Sequence, residues 1–416
     1  MMRELEGGGR AKGETPFSAL VAHLREDGTT RLAVEKKTVS SLYMPPRYHP
    51  LPAVTIRVHY SSLNYKDALS ASGNHGVTRS YPHTPGIDAA GIVTSSEDAR
   101  FEAGQKVIVT GYDLGSNTSG GFGGMIRVPG DWVVPLPAEL TLRDAMILGT
   151  AGFTAAYGVK KLLDNGLMPM HPGQDKPHGG MAGNSQTGNS QTGNSQTSGS
   201  HTNNYQTSTH KKAAKPSSPE AENEPLPVLV TGATGGVGSV AVGILHRLGF
   251  RVIAVTGKPE AHDYLLSIGA DEVHDRSFVM DVDTSRLLLS GRWAGGIDTV
   301  GGKLLEAMIL QTAQAGVIAC CGNVTGHELH TNIYPFILRG VGLMGIDSAQ
   351  CTMQIRRDLW SHLATDWRPA HLTNIKAREV GLHGLAKEID TILKGQQTGR
   401  VLVTHDGADL DSKGIL

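Results

Sequence analysis

The chain reads as α/β, with a β-rich half followed by a doubly wound parallel sheet. Two patterns carry that reading. Up to about residue 150, short apolar runs alternate with turns rich in Gly and Pro, whereas from Ala151 onward helical patterns and apolar strands take turns. Such alternation indicates a parallel sheet with helices on both faces. A third observation anchors the second half. The stretch Val228-Leu-Val-Thr-Gly-Ala-Thr-Gly-Gly-Val-Gly-Ser-Val-Ala-Val242 reads as a strand, a glycine-rich turn and the start of a helix.

In the first half, Val54-Thr-Ile-Arg-Val-His-Tyr60 alternates as a half-buried strand does. Gly91-Ile-Val93, Lys106-Val-Ile-Val-Thr110 and Trp132-Val-Val134 add further strands, and together they suggest a partly open barrel. The second half predicts strands over 228–230, 252–255, 272–274, 298–300, 317–321 and 342–345. A helix from Leu385 to Lys394-Gly395 then leads to a last strand, Arg400-Val-Leu-Val-Thr404, expected to return to the first half. The predicted domains are 17–150, completed by about 360–416, and 151–355, with a loose extension over 1–16. Residues 172–225 fall outside both cores. Gly183-Asn-Ser-Gln-Thr187 occurs three times in succession there, in a polar tract that buries too little apolar surface to offset the entropy of ordering. A disordered insert is expected. Loop length costs little, so it is tolerated.

Composition excludes several partners. At 416 residues the chain is comfortable for two domains, and 38 Lys plus Arg nearly balance 39 Asp plus Glu. That balance gives no attraction to nucleic acid or an acidic membrane surface. No apolar run approaches the roughly 20 residues that span a bilayer. The polar, glycine-rich start lacks the apolar segment of a secretory signal. Cys320, Cys321 and Cys351 are too few and too unevenly placed for a disulfide framework, which favours a reducing, cytoplasmic location.

The turn at Ala233-x-Gly235-x-x-Gly238 has the spacing of a dinucleotide fingerprint, with alanine in the first place. Gly235 lets the backbone approach a pyrophosphate, Gly238 allows close helix-on-strand packing, and the helix N-terminus offers amide donors. The next strand ends in Thr256-Gly257-Lys258. A site for NAD normally has an acid here to accept from the ribose 2′-OH. A hydroxyl and a lysine suit a 2′-phosphate, so the expected cofactor is NADPH; the plainer reading of Lys258 is a solvated turn residue.

Ser61-Ser-Leu-Asn-Tyr-Lys-Asp67, Pro85-Gly-Ile-Asp-Ala-Ala-Gly91, Gly149-Thr-Ala-Gly-Phe-Thr-Ala155 and Ile297-Asp-Thr-Val-Gly301 surround that fingerprint in one order. Together they resemble the zinc-free medium-chain dehydrogenase/reductases, within them the acryloyl-CoA reductase (NADPH) group of the quinone oxidoreductase family. The resemblance runs from about Phe17 to Thr404, without the repeat tract. It implies a GroES-like catalytic domain plus a Rossmann domain, with cofactor and substrate between them, and a homodimer. Carried onto matching positions, it implies NADPH contacts from Tyr65, Thr234, Gly235, Gly236, Val237, Gly238, Thr256, Gly257, Lys258 and Arg276. Asn323, Ile337 and Ser348 match positions that line the nicotinamide side. Lys258 stands where close relatives usually carry arginine, which keeps the charge and loses the bidentate fork.

Zinc-dependent relatives place a cysteine and a histidine in the motifs matched here by Asn64 and Ile87, and neither residue replaces such a ligand. No metal is therefore expected. Without a Lewis acid, alcohol oxidation is hard and reduction of an activated C=C bond is easier. The implied activity is NADPH-dependent reduction of a short 2-enoyl-CoA such as acryloyl-CoA. An NADPH:quinone oxidoreductase is the alternative, and a non-catalytic NADPH-binding protein a third reading. Tyr65 either supports protonation or packs under the nicotinamide. Asn64 orients it or binds the enolate, and Asp67 and Asp88 order the polar network. Tyr81 is another candidate donor.

Overall fold

A computed structural model describes residues 15–168, 225–283 and 285–406. The expected extension up to residue 14 and the insert over 172–224 lie outside the described residues. In chain order, strands β1 (Phe17–Leu24), β2 (Thr30–Lys37) and β3 (Ala53–Ser62) precede helix α1 (Tyr65–Ala71). Then come β4 (Asp88–Ser96), β5 (Lys106–Thr110), β6 (Met125–Pro129), β7 (Val133–Pro135) and the long α2 (Leu142–Asp164). The second sheet is built from β8 (Val228–Thr231), α3 (Gly236–Arg247), β9 (Val252–Val255), α4 (His262–Ser267), β10 (Glu272–His274) and α5 (Ser277–Met280). It continues through β11 (Trp293–Asp298), α6 (Gly302–Leu310), β12 (Thr312–Cys320), α7 (Tyr334–Arg339) and β13 (Gly342–Gly345). The chain closes with α8 (Met353–Ala364), α9 (Leu372–Ile375), β14 (Lys376–Gly381), α10 (Leu385–Leu393) and β15 (Arg400–Thr404).

The second sheet is parallel and six-stranded, in the order β10-β9-β8-β11-β12-β13. Its order reverses direction beside β8, where α/β sheets bind ligands outside the strand C-termini. β8 and β9 are buried at every position, as central parallel strands are. The seven-stranded sheet runs β14-β15-β3-β4-β5-β7, with β6 also on β3. β15 pairs antiparallel with β3, so the last strand does join the first sheet. β1 and β2 form a separate hairpin.

Two expected strands are misplaced. The strand read over 298–300 is β11, which ends at Asp298. There the Asp298 carboxylate accepts from Gly301 N at 2.8 Å and Thr231 Oγ1 at 2.6 Å, turning the chain out of the sheet. The strand read over 317–321 begins at Thr312. Its polar start, Thr-Ala-Gln-Ala-Gly, hid it. α2 binds the molecule together: its buried Phe153, Ala156 and Val159 share one core with Val240, Ile244 and Leu245 of α3 and with Tyr60 and Ala90 of the first sheet.

Candidate active site

α2 is broken at Gly149, where φ is 53° and ψ is −158°. A Cβ at Gly149 would lie 2.4 Å from Ser62 Oγ and 2.5 Å from Asp88 Oδ2, so only glycine admits both the backbone conformation and the contact. The break creates one free helix C-terminus and one free N-terminus inside the protein, each with unpaired backbone groups. Asp88 takes the N-terminal side. Its carboxylate accepts from Thr150 N at 2.9 and 3.0 Å and from Thr150 Oγ1 at 2.5 Å. Arg400 takes the other, donating from Nε to Ile147 O at 3.1 Å. Anion at the N-terminus and cation at the C-terminus both agree with the helix dipole.

Around this break lies a closed polar cluster. Ser62 Oγ donates to Asp88 Oδ2 at 2.6 Å and Asn64 Nδ2 donates to it at 2.7 Å. Arg400 Nη1 donates to Leu63 O and to Asn64 Oδ1, both at 3.1 Å, and Nη2 lies 3.8 Å from Asp88. Asn64 N donates to Asp67 Oδ2 at 2.8 Å, capping α1, and Ile87 N donates to Asp67 Oδ1 at 2.7 Å. Asp67 and Asp88 are fully buried. Burial, then the negative charge of Asp88, pushes the Asp67 carboxyl up to about 7 against the hydrogen bonds that favour its charged form. Burial pulls the Arg400 guanidinium below its ordinary range.

This geometry sorts the expected catalytic residues. Asp67 and Asp88 order the network and face no open space. Asn64 spends its amide on Asp88, Asp67 and Arg400, so it is placed to hold α1 rather than to receive a substrate oxygen. Tyr65 differs: it opens α1, is 44% exposed, and its hydroxyl makes no hydrogen bond among the described residues. Tyr81 donates to Ser70 O at 2.7 Å, which commits it to the end of α1.

Thr234 to Gly238 and Thr256 to Lys258, expected to hold the cofactor, follow the C-terminal ends of β8 and β9. Gly235 caps α3, whose first turn carries no acid. A Cβ at Gly238 would lie 2.4 Å from Gly232 O, so glycine is required for α3 to reach the strand so closely. Gly236 backs onto Arg400: its Cβ would sit 2.9 Å from Arg400 Nη1, joining the turn to the polar cluster. Val237 packs on the core. Thr234 Oγ1 and Thr256 Oγ1 are 3.2 Å apart. Arg276 lies over Gly257, where a Cβ would come 2.8 Å from its guanidinium carbon, so two cations flank the end of β9. Lys258 donates its ammonium to Gln397 O and, at 3.4 Å, to Thr398 Oγ1. An amide-lined helix start and a strand end that carries cations and no acid suit a phosphorylated dinucleotide.

Ser348 bonds Thr154 Oγ1 at 2.7 Å, beside the second half of α2. Asn323 lies in the exposed turn after β12, with its Cα 3.2 Å from a Cβ built on Gly301. Ile337 is on the outer face of α7, 63% exposed among Ile333, Tyr334 and Leu338. Sequence reasoning missed Arg400, Thr150 and Arg356. Arg356 is buried, donates to Thr110 O and Oγ1 at 2.8 Å and to Ser348 O at 3.0 Å, and lies over the Tyr112 and Phe153 rings. For Arg400 a signal existed, a charge opening an otherwise apolar buried strand. Among the described residues no group of three or more His, Cys, Asp or Glu is placed to hold a metal ion, and no helix is long and apolar enough to cross a membrane.

A β-rich sheet with a buried polar cluster, set beside a parallel sheet with a dinucleotide turn, is the build of an oxidoreductase with GroES-like and Rossmann parts. The alcohol dehydrogenase GroES-like domain family matches residues 52–138, and the zinc-binding dehydrogenase family matches residues 236–365. The acrylyl-CoA reductase AcuI of Ruegeria pomeroyi is 37% identical over 93% of this chain and 98% of its own. Bacillus subtilis YhfP, named as a quinone oxidoreductase, is 39% identical over 94% of this chain and 99% of its own. A structure of YhfP with NAD bound superimposes with a TM-score of 0.75. The Salmonella enterica yhdH oxidoreductase, solved with NADP, gives 0.74 at 37% identity, covering 93% of this chain and 99% of the other. The chain belongs to the medium-chain dehydrogenase/reductases, in the group that holds these acrylyl-CoA reductases and quinone oxidoreductases.

Proposed function

We propose that this protein is a cytoplasmic, zinc-independent reductase that uses NADPH to reduce the C=C bond of a short 2-enoyl-CoA such as acryloyl-CoA. The observation that carries the reading is the state of the two positions where zinc-dependent relatives have ligands. Asn64 is wholly engaged by Asp88, Asp67 and Arg400, and Ile87 offers only hydrocarbon. Donors of that kind leave a carbonyl without a Lewis acid, which suits conjugate reduction better than alcohol oxidation. NADPH, when bound, supplies the hydride. The start of α3 and Thr234 hold the pyrophosphate region, while Thr256, Lys258 and Arg276 receive the 2′-phosphate. Tyr65 presents the open hydroxyl at the cleft and either positions the nicotinamide ring or delivers the proton. The polar cluster fixes α1 and hence Tyr65.

The test is NADPH oxidation measured side by side with acryloyl-CoA, crotonyl-CoA and a benzoquinone, with and without a chelator. Turnover of the thioesters that a chelator leaves intact is expected. Rapid quinone reduction without thioester turnover would transfer the assignment to an NADPH:quinone oxidoreductase, the reading favoured by the name of the 39% identical YhfP. Tyr65→Phe separates the two roles of that side chain. A fall in kcat of about a hundredfold with unchanged KM assigns the hydroxyl to the transition state, and a near-normal kcat leaves the ring as packing. A homodimer is part of the same proposal. Exposed Ile333, Ile337 and Leu338 lead into the sheet-edge strand β13, an apolar surface a second copy would cover. Light scattering at the mass of a single chain would overturn it.

A further inference from the structure

A cavity of about 410 Å³, lined by none of the polar-cluster residues, opens between β1, the loop after β2 and the loop after α1. That volume lies in the range of small-molecule sites. Its floor is apolar, made by Phe17, Ala19, Val21, Leu42 and Met125. Its charged lining is of one sign: Lys37, Arg47 and Arg79 face it, and no carboxylate does. Lys37 and Arg47 each have an acidic neighbour, Glu35 at 3.6 Å and Asp113 respectively. Arg79, which is exposed, makes no hydrogen bond or ion pair among the described residues.

A second observation is independent of the charges. Ser116 lines the cavity, is only 2% exposed, and its Oγ has no hydrogen-bond partner. A buried hydroxyl left unpaired is costly, and an acceptor placed in the cavity would remove the cost. Ser119, on the same wall, accepts from Tyr43 N at 2.9 Å and keeps its own proton free to donate. Cations and hydroxyl donors above an apolar floor match a tetrahedral dianion with a greasy attachment. Three phosphate oxygens accept from several donors at once, which a single carboxylate does less well.

We infer that this cavity binds a phosphate monoester carrying an apolar arm, at a site separate from the dinucleotide turn. Two sources share that chemistry: the phosphorylated carrier of the thioester substrate, or a free phosphorylated compound. The first source rests on the enoyl-CoA reading and the second does not.

The experiment titrates the full chain, saturated with NADP⁺, with phenyl phosphate by calorimetry. One site per chain is expected. Arg79→Glu should weaken it about tenfold or more, and Ser116→Ala about threefold, on the scale of a lost charge-assisted and a lost neutral hydrogen bond. Both variants should keep the wild-type NADPH affinity and melting temperature. No saturable heat in the wild type up to about 10 mM, which is weaker than any specific site of this kind, overturns the proposal. So does equal binding to wild type and Arg79→Glu. Competition by phenyl phosphate against crotonyl-CoA, with a raised KM in Arg79→Glu, assigns the site to the substrate's carrier. Binding that leaves crotonyl-CoA kinetics untouched assigns it to a separate ligand, and that result stands even if the thioester activity itself is absent.

Discussion

The polar cluster at the broken α2 and the cationic rim at the end of β9 both gather charged residues, yet they are built in opposite ways. In the cluster, Asp88 accepts from Ser62, Asn64 and Thr150, while Arg400 donates to Ile147, Leu63 and Asn64. These groups are buried and mutually engaged. At the rim, Arg276 is exposed, resting on Gly257, and Lys258 is half-buried and bonded to the Gln397 carbonyl. Buried, mutually bonded groups hold a geometry; an exposed Arg276, whose side chain makes no hydrogen bond among the described residues, is left for a ligand, and the Gln397 carbonyl holds Lys258 beside it. Charge in the sequence does not distinguish these uses, because burial and the number of donors per acceptor decide them.

The largest break of that contrast is Asp88→Ala. Removing the carboxylate leaves the Arg400 guanidinium buried without its ion partner and the N-terminus at Thr150 uncapped, a loss of about 3–5 kcal/mol in urea unfolding. A loss below about 1 kcal/mol would show that the cluster is not the mutually dependent unit described. Asp88→Asn, which keeps an acceptor, should cost less.

At the rim, Lys258→Ala should leave folding nearly unchanged and weaken NADPH by about tenfold, the size of one charge-assisted contact, or roughly 1.5 kcal/mol. NADH affinity should hardly move. Equal weakening of both cofactors, read by fluorescence titration, would place Lys258 at a part of the cofactor that the two share.

A third break of the contrast is a pH slope from Asp67. Its folded pKa of about 7 lies above the ordinary 3.8 because burial and Asp88 disfavour its charge. A raised pKa contributes stability that is fully present below about pH 3.8 and is lost as pH rises through 7. Asp67→Asn removes that titration, whatever fixed cost it adds at the Ile87 amide. The melting temperature of Asp67→Asn relative to wild type should therefore climb between pH 4 and 7. A flat difference would mean that Asp67 stays charged throughout.

Much of the architecture was legible because it rests on local rules. The four-residue apolar strands β8 and β9, the helical spacing of Val240, Ile244 and Leu245, and the glycines at 235 and 238 are constraints of backbone and periodicity. The missing acid after β9 was equally readable. Trp293 to Ile297 was harder, since Gly295 and Gly296 conceal a strand whose start is held by a buried indole bonded to Met308 O. Tyr65 was legible only as the residue next to Asn64; its exposed hydroxyl, against the bonded Tyr81, is a fact of packing.

The residues alone determined a dinucleotide turn, a parallel sheet and a cationic end to β9, because each is written in a few consecutive side chains. Only the tertiary structure decided that Arg400, some 336 residues from Asn64, bonds it directly. It also decided that Asp88 and Arg400 cap the two halves of one broken helix. No periodicity encodes such partners. They are chosen where a helix, a strand and a glycine-rich turn exclude water together, because leaving buried polar groups unpaired is costly.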